Sequence, residues 1–172
     1  MKEVIEILTK RNKTISTMES CTGGGIANAI TNIEGASEVF SFGAVTYSNF
    51  YKIKMGVSSE VIDKYSVYSF ETVKEMSKSI CEYTNSNYGI GVSGKLNRAD
   101  ENNRFGKDNE VFFSIYDRDN DKYYCDKVSV ALNSRHENKD VVIDEIINKL
   151  LEVLEESNEE LNYIIIIMIR VL

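Results

Sequence analysis

The chain has 172 residues, 42% of them apolar and 27% charged, enough to bury one core and short for two. Its net charge of −7 excludes a broad nucleic-acid surface, because neutralising phosphates takes clustered Lys and Arg. The dispersed cysteines Cys21, Cys81 and Cys125 and the single histidine His136 exclude His-rich metal sites and fit reduced thiols in a cytoplasmic protein better than a disulfide frame.

Residues 4–8 carry apolar side chains at helical spacing and predict an amphipathic helix. Proline is absent, so turns are read from Gly, Asn, Asp and Ser, and residues 10–13 form a polar turn. Residues 14–18 predict a short strand, 19–25 a glycine-rich turn, and 26–33 a helix. Residues 36–47, rich in Val, Phe and Tyr, predict one or two extended segments broken near Gly43. Residues 48–55 predict a helical turn, and 58–64 a short helix capped by Ser58 or Ser59 with Glu60 in its first turn. Ser69 opens a longer helix to about residue 84, in which Val73, Met76, Ile80 and Tyr83 keep the 3–4 spacing. Residues 88–92 predict a strand ending at Ser93-Gly94, and 95–109 a polar loop. Residues 110–116 and 122–132 predict a hairpin around the turn 117–121, and residues 137–154 the last amphipathic helix.

Helices alternating with strands, plus one hairpin, predict an α/β fold: a single-domain mixed β-sheet flanked by helices. The domain is expected over residues 1–160, with an apolar C-terminal tail at 161–172. That tail contains Ile164-Ile165-Ile166-Ile167-Met168-Ile169 and is shorter than the roughly 20 apolar residues of a membrane span. No membrane partner is therefore expected. The tail reads as an extra strand or a buried segment at a subunit contact, in a homodimer or higher homo-oligomer.

Two clusters can carry chemistry. In Ser20-Cys21-Thr22-Gly23-Gly24-Gly25, glycines let backbone amides approach an anion and the following helix adds its dipole. Ser20 and Thr22 supply hydroxyls, and a merely structural turn is an equally good reading of this segment alone. The second cluster is Thr46-Tyr47-Ser48-Asn49 followed by Lys52. A serine nucleophile without a histidine needs another base, and a desolvated lysine serves if its pKa falls. Lys52 and Lys54 are the nearby candidates, against the alternative that Tyr47 packs in the core and both lysines face water.

Together, Thr17-Met18-Glu19-Ser20-Cys21-Thr22-Gly23-Gly24, residues 34–40, Gly43-Ala44-Val45-Thr46-Tyr47-Ser48-Asn49, Lys52 and Met55-Gly56-Val57 resemble the CinA C-terminal domain family in order and spacing. That family of nicotinamide mononucleotide deamidases reads roughly Ala-Glu-Ser-Cys-Thr-Gly-Gly, then Gly-Ser-Ser, then Val-Thr-Tyr-Ser-Asn-x-x-Lys. The likeness covers the chain to about Leu154. It implies a three-layer α/β/α domain that hydrolyses the carboxamide of nicotinamide mononucleotide to the acid, releasing ammonia. By that resemblance Ser20 is the nucleophile, Lys52 its base and Tyr47 a hydrogen-bonding helper. Thr22, Gly23, Gly24, Ser48, Asn49, Ser93 and Arg135 are the implied substrate-binding residues, with the amides of residues 22–24 holding the phosphate or an oxyanion. Cys21 ranks well below Ser20 as a nucleophile. The implied partner is a small pyridine nucleotide, with no metal and no cofactor.

The chain departs from the family after Gly94. There the family continues Ile-Ala-Gly-Pro-x-Gly-Gly, and this chain reads Lys95-Leu96-Asn97-Arg98-Ala99-Asp100-Glu101-Asn102-Asn103-Arg104. The alternative reading is a catalytically impaired CinA-like nucleotide-binding or interaction protein with an altered pocket loop at 95–109.

Overall fold

The computed structural model describes the backbone of residues 1–171 and the side chains of residues 1–156. Five strands form one mixed sheet: β1 (Ile15–Glu19), β2 (Phe40–Val45), β3 (Tyr88–Gly94), β4 (Glu110–Asp117) and β5 (Lys122–Ser129), in spatial order β2-β1-β3-β4-β5. The first three run parallel to one another, and β4 and β5 form an antiparallel hairpin against β3. Helices α1 (Lys2–Arg11), α2 (Gly25–Thr31) and α6 (Arg135–Val171) pack on one face, while α4 (Ser59–Tyr65) and α5 (Phe70–Thr84) cover the other. The short helix α3 (Asn49–Lys54) follows β2. The expected three-layer α/β/α arrangement is therefore the observed one.

Each face has its own core. Val4, Leu8, Ile26, Ile30, Ile90, Val92, Ile146 and Leu150 meet on the α1–α2–α6 side, and Met18, Val57, Val73, Met76 and Ile80 on the α5 side. A strand covered on both faces is buried at every position, and β1 is buried throughout. That is why its sequence, Ile-Ser-Thr-Met-Glu, shows no alternation of apolar and polar residues. On β3, Gly91 lets α5 approach closely: a Cβ there would stand 2.4 Å from the Val73 carbonyl oxygen and 2.6 Å from the Ser77 nitrogen.

Two expectations need correction. Gly43 does not break the segment before residue 47, because β2 runs through it and it pairs with Thr17 in β1. Its missing Cβ makes room for the Thr17 hydroxyl, 2.6 Å from where that atom would be. The extended segment is also shorter than expected, since residues 36–38 form a single 3-10 turn. At the other end, α6 continues to Val171, so the Ile-rich tail is helical backbone rather than an extra strand. Side chains of that tail lie outside the described residues. The caps agree with the sequence: Ser58 accepts from the Val61 N–H and Ser69 from the Thr72 N–H, closing the first turns of α4 and α5.

This connectivity positions a site. From β1 the chain passes through α2 to β2 on one side, then through α3, α4 and α5 to β3 on the other. Neighbouring connections thus diverge at the carboxyl end of β1, leaving a crevice of the kind that parallel sheets use for ligands.

Candidate active site

Ser20 is the first residue beyond β1, and its N–H donates to the Val92 carbonyl at 3.1 Å, fixing it against β3. From the other side, Thr46 donates its N–H to the Glu19 carbonyl and Ser48 caps α3, accepting from the Tyr51 N–H. That cap aims α3 so that Lys52 points back beneath the turn. Its amine lies 3.1 Å from the Ser20 hydroxyl oxygen and 2.8 Å from the Thr46 carbonyl oxygen. Only 2% of Lys52 is exposed, and burial lowers its pKa to about 8, against smaller upward pulls from Cys21 and Asp100. Lys54, the other candidate base, is exposed and lies over the Phe50 ring. Geometry thus separates two lysines that composition and spacing left open and that only the family resemblance told apart.

A cavity of about 750 Å³ opens above this pair. Tyr47, Ser48, Asn49 and Arg135 form part of its wall, and the segment from Gly94 to Asn103 forms most of the rest. Tyr47 is 63% exposed, so it does not pack in the core, and its hydroxyl accepts from Arg135 Nη2 at 2.9 Å. Asn49 donates to Asn103 Oδ1 at 3.1 Å, so its amide holds the loop. Ser93 is fully buried and does not line the cavity; Gly94 lines it in its place.

The glycine turn does something other than expected. Glu19 is fully buried, and its carboxylate accepts from the Thr22 hydroxyl at 2.7 Å and from the N–H groups of Gly24, Ile26 and Ala27 at 3.1, 3.1 and 2.8 Å. The Gly23 N–H donates to the Ser20 carbonyl. Of the amides expected to hold a phosphate or oxyanion, those of Gly23 and Gly24 are thus taken up within the protein. Thr22, Gly23 and Gly24 line a separate cleft of about 250 Å³, with His136 and Lys139. The predicted site is therefore divided: Ser20, Lys52, Tyr47, Ser48, Asn49 and Arg135 share one cavity, and Thr22, Gly23, Gly24 and Ser93 do not line it.

Cys21 borders the same cavity, yet burial pushes its thiol up to about 12 despite the opposing pull of Lys52 and Arg135. A thiol so rarely ionised is a poor nucleophile, which leaves Ser20 as the candidate.

Residues 1–154 match the model of the CinA C-terminal domain. The chain belongs to this family. Over 96 residues the CinA domain is 46% identical to a Clostridium botulinum (strain Langeland) protein that carries the provisional name competence-damage inducible protein, a match covering 55% of this chain and 24% of that one. A Thermoanaerobacter relative with the same provisional name is 41% identical over 96 residues, covering 55% of this chain and 23% of its own. The matched region thus spans about a quarter of the length of these curated relatives. Among solved structures, a CinA superfamily protein from Klebsiella pneumoniae shares the fold with a TM-score of 0.82 at 23% identity, over 90% of this chain and 95% of that one. A competence/damage inducible protein from Agrobacterium tumefaciens superposes with a TM-score of 0.75 at 27% identity, over 89% and 92%.

Sequence reasoning missed several residues of this CinA domain's site. Glu19 stood inside the recognised motif without a role; a carboxylate just before a glycine turn and a helix start is the signal, since helix N-termini attract anions. Loop 95–109 was expected as a polar, altered pocket loop, but nothing in the sequence said how it is held. In the structure Lys95 is buried, pairs with Asp108 at 3.0 Å and lies 5.2 Å from the Tyr68 ring centre. Tyr68 in turn donates to Asp100. The loop is thus pinned to the domain as a cavity wall rather than filling the cavity.

Proposed function

We propose that this CinA domain is an amidohydrolase acting on the carboxamide of nicotinamide mononucleotide, with Ser20 as nucleophile and Lys52 as base. The observation that carries the reading is the buried Lys52 amine 3.1 Å from the Ser20 hydroxyl, with a pKa lowered to about 8. A neutral amine has one lone pair and two N–H bonds. One N–H directed at the Thr46 carbonyl orients the lone pair toward the Ser20 O–H, as a general base requires.

The steps balance with these two groups. Lys52 takes the Ser20 proton as the oxygen attacks the amide carbon, giving a tetrahedral intermediate and an ammonium on Lys52. That ammonium returns its proton to the departing nitrogen, which leaves as ammonia and yields an ester on Ser20. Water, deprotonated by the regenerated amine, attacks the ester carbon, and the Lys52 ammonium returns that proton to the Ser20 oxygen as the acid departs, restoring the serine hydroxyl and the neutral amine. Arg135, held at the cavity rim by Tyr47, is suited to a phosphate as a planar, permanently charged donor.

The test is ammonia release from nicotinamide mononucleotide by purified protein. Turnover by the wild type and none by Ser20→Ala is the expected result. A folded wild type that releases no ammonia sinks the amidohydrolase reading and leaves a ligand-binding module.

A further inference from the structure

Ser20 stands in a row of three hydroxyls. Met18 of β1 pairs with Ala44 of β2 and Gly91 of β3, and Glu19 pairs with Val45 and Val92. Both ladders run one step further: the Thr46 N–H donates to the Glu19 carbonyl at 2.8 Å, and the Ser20 N–H to the Val92 carbonyl at 3.1 Å. Thr46 and Ser93 are therefore the lateral neighbours of Ser20 at the carboxyl ends of the parallel strands. Side chains alternate along a strand, so all three share the face on which Met18 and Ala44 pack with α5.

The two outer hydroxyls break a rule that the core otherwise keeps. Thr46 is 2% exposed and Ser93 is fully buried, and neither Thr46 Oγ1 nor Ser93 Oγ has a hydrogen-bond partner among the described residues. Buried hydroxyls are normally paired, since an unmade hydrogen bond leaves the loss of water uncompensated. The third such atom among the described residues is Thr17 Oγ1, which lies on the opposite face of β1, beside Gly43.

Lys52 carries the matching deficit. Its amine has two hydrogen-bond partners, the Ser20 hydroxyl at 3.1 Å and the Thr46 carbonyl at 2.8 Å. Once it has taken the Ser20 proton it is an ammonium with three N–H groups. One is directed at the departing nitrogen and one at the Thr46 carbonyl. The third points a full charge into a buried site, and a buried charge without hydrogen bonds is strongly disfavoured. Thr46 already holds the amine through its carbonyl, and the same residue carries a hydroxyl oxygen that moves with rotation about its Cα–Cβ bond. Ser93 flanks Ser20 from the other strand and has no such link to Lys52 among the described hydrogen bonds.

We propose that the Thr46 hydroxyl accepts the third N–H of Lys52 when Lys52 becomes an ammonium. The hydroxyl is unpaired in the resting protein and paired as the barrier is crossed, so the contact lowers the barrier without tightening substrate binding. It accepts a hydrogen bond and transfers no proton. Thr46 does not line the cavity, so it acts through Lys52 as a positioning residue. This inference rests on the Ser20–Lys52 pair of the amidohydrolase reading and is independent of which amide is the substrate.

The probe is an alkyl fluorophosphonate. The Ser20 oxygen attacks its phosphorus, fluoride leaves and Lys52 takes the proton, so no amide substrate is needed. Mass spectrometry locates the adduct and follows both the maximal rate of labelling and the half-saturating concentration. Thr46→Val keeps the shape of the side chain and removes the hydroxyl. It is expected to lower the maximal rate at least about tenfold, the weight of one hydrogen bond to a charged group, with half-saturation unchanged. Thr46→Ser brings the rate back to within about threefold of wild type. Thr17→Val removes the unpartnered hydroxyl on the opposite face and leaves the rate unchanged. The urea midpoint of Thr46→Val is expected to be no lower than that of the wild type, since a hydroxyl without a partner adds no stability. Wild-type labelling rates in Thr46→Val, no recovery in Thr46→Ser, an equal loss in Thr17→Val, a lowered urea midpoint, or no labelling of the wild type each overturn the inference. Ammonia release from nicotinamide mononucleotide reports separately on the amidohydrolase reading. The expected labelling pattern without release sinks that reading alone, and release with a fully reactive Thr46→Val sinks this inference alone.

Discussion

Lys52→Met tests the electrostatics of the site without any assumption about substrate. A lysine amine in the unfolded chain titrates near 10.5, and Lys52 in the folded protein near 8. Below about pH 8 both states carry the proton, and the folded state holds a buried charge it disfavours. The gap corresponds to roughly 3 kcal/mol of lost stability at 1.36 kcal/mol per pH unit. Between about 8 and 10.5 the unfolded chain binds the proton and the folded one does not, so stability rises with pH across that window. Methionine fills similar space with no charge. Against that gain stand the hydrogen bonds to Thr46 and Ser20, about 1 kcal/mol each. Lys52→Met is therefore expected to be more stable than wild type by about 1 kcal/mol at pH 7 and less stable by about 1 kcal/mol at pH 10. Urea unfolding of both proteins at the two pH values measures the difference, and titrations elsewhere in the chain cancel. The same difference at pH 7 and pH 10, of either sign, refutes the reasoning, because a lysine with an ordinary pKa gives no such reversal.

Three further outcomes are expected. If Lys52 is the base, kcat/KM for ammonia release rises about tenfold from pH 7 to pH 9, following the neutral fraction of an amine with a pKa near 8; Lys52→Arg abolishes activity at both pH values, since guanidinium does not deprotonate. Glu19→Ala leaves the Thr22 hydroxyl and three backbone N–H groups without their acceptor, and denaturant titration is expected to show a loss of about 3 to 5 kcal/mol. A loss under about 1 kcal/mol would show that water replaces the carboxylate. Gly91→Ala forces a Cβ against the backbone of α5, which cannot rotate away, and is expected to cost at least about 3 kcal/mol by the same measurement.

The order of elements was legible because it rests on local signals. Hydroxyl caps at Ser58 and Ser69, the apolar spacing of α5 and the hairpin turn each act over a few residues. Ser20 and Lys52 were legible as well, since a motif with fixed spacing preserves the separation that brings a strand end and a helix face together. Lys52's burial was not, because Lys52 and Lys54 differ only in which way α3 turns them, and packing beside β1 decides that. Gly43 misled for a related reason: the sequence shows a glycine, and only the pairing with Thr17 shows that it serves close packing within a strand.

The sequence by itself determined the family, the α/β layering and the candidate nucleophile with its base. Tertiary structure decided where the charges go. Glu19 folds back onto the start of α2 and takes the Gly24 amide, one of those that an anion was expected to occupy, together with the amides of Ile26 and Ala27. Loop 95–109, a run of polar residues in the sequence, is drawn against Tyr68 and Asn49, is closed on itself by the Lys95–Asp108 pair, and becomes a charged wall of the cavity. A sequence displays which donors and acceptors exist. Which donor meets which acceptor depends on distances across the fold, and buried polar groups pair with whatever the packing brings within about 3 Å.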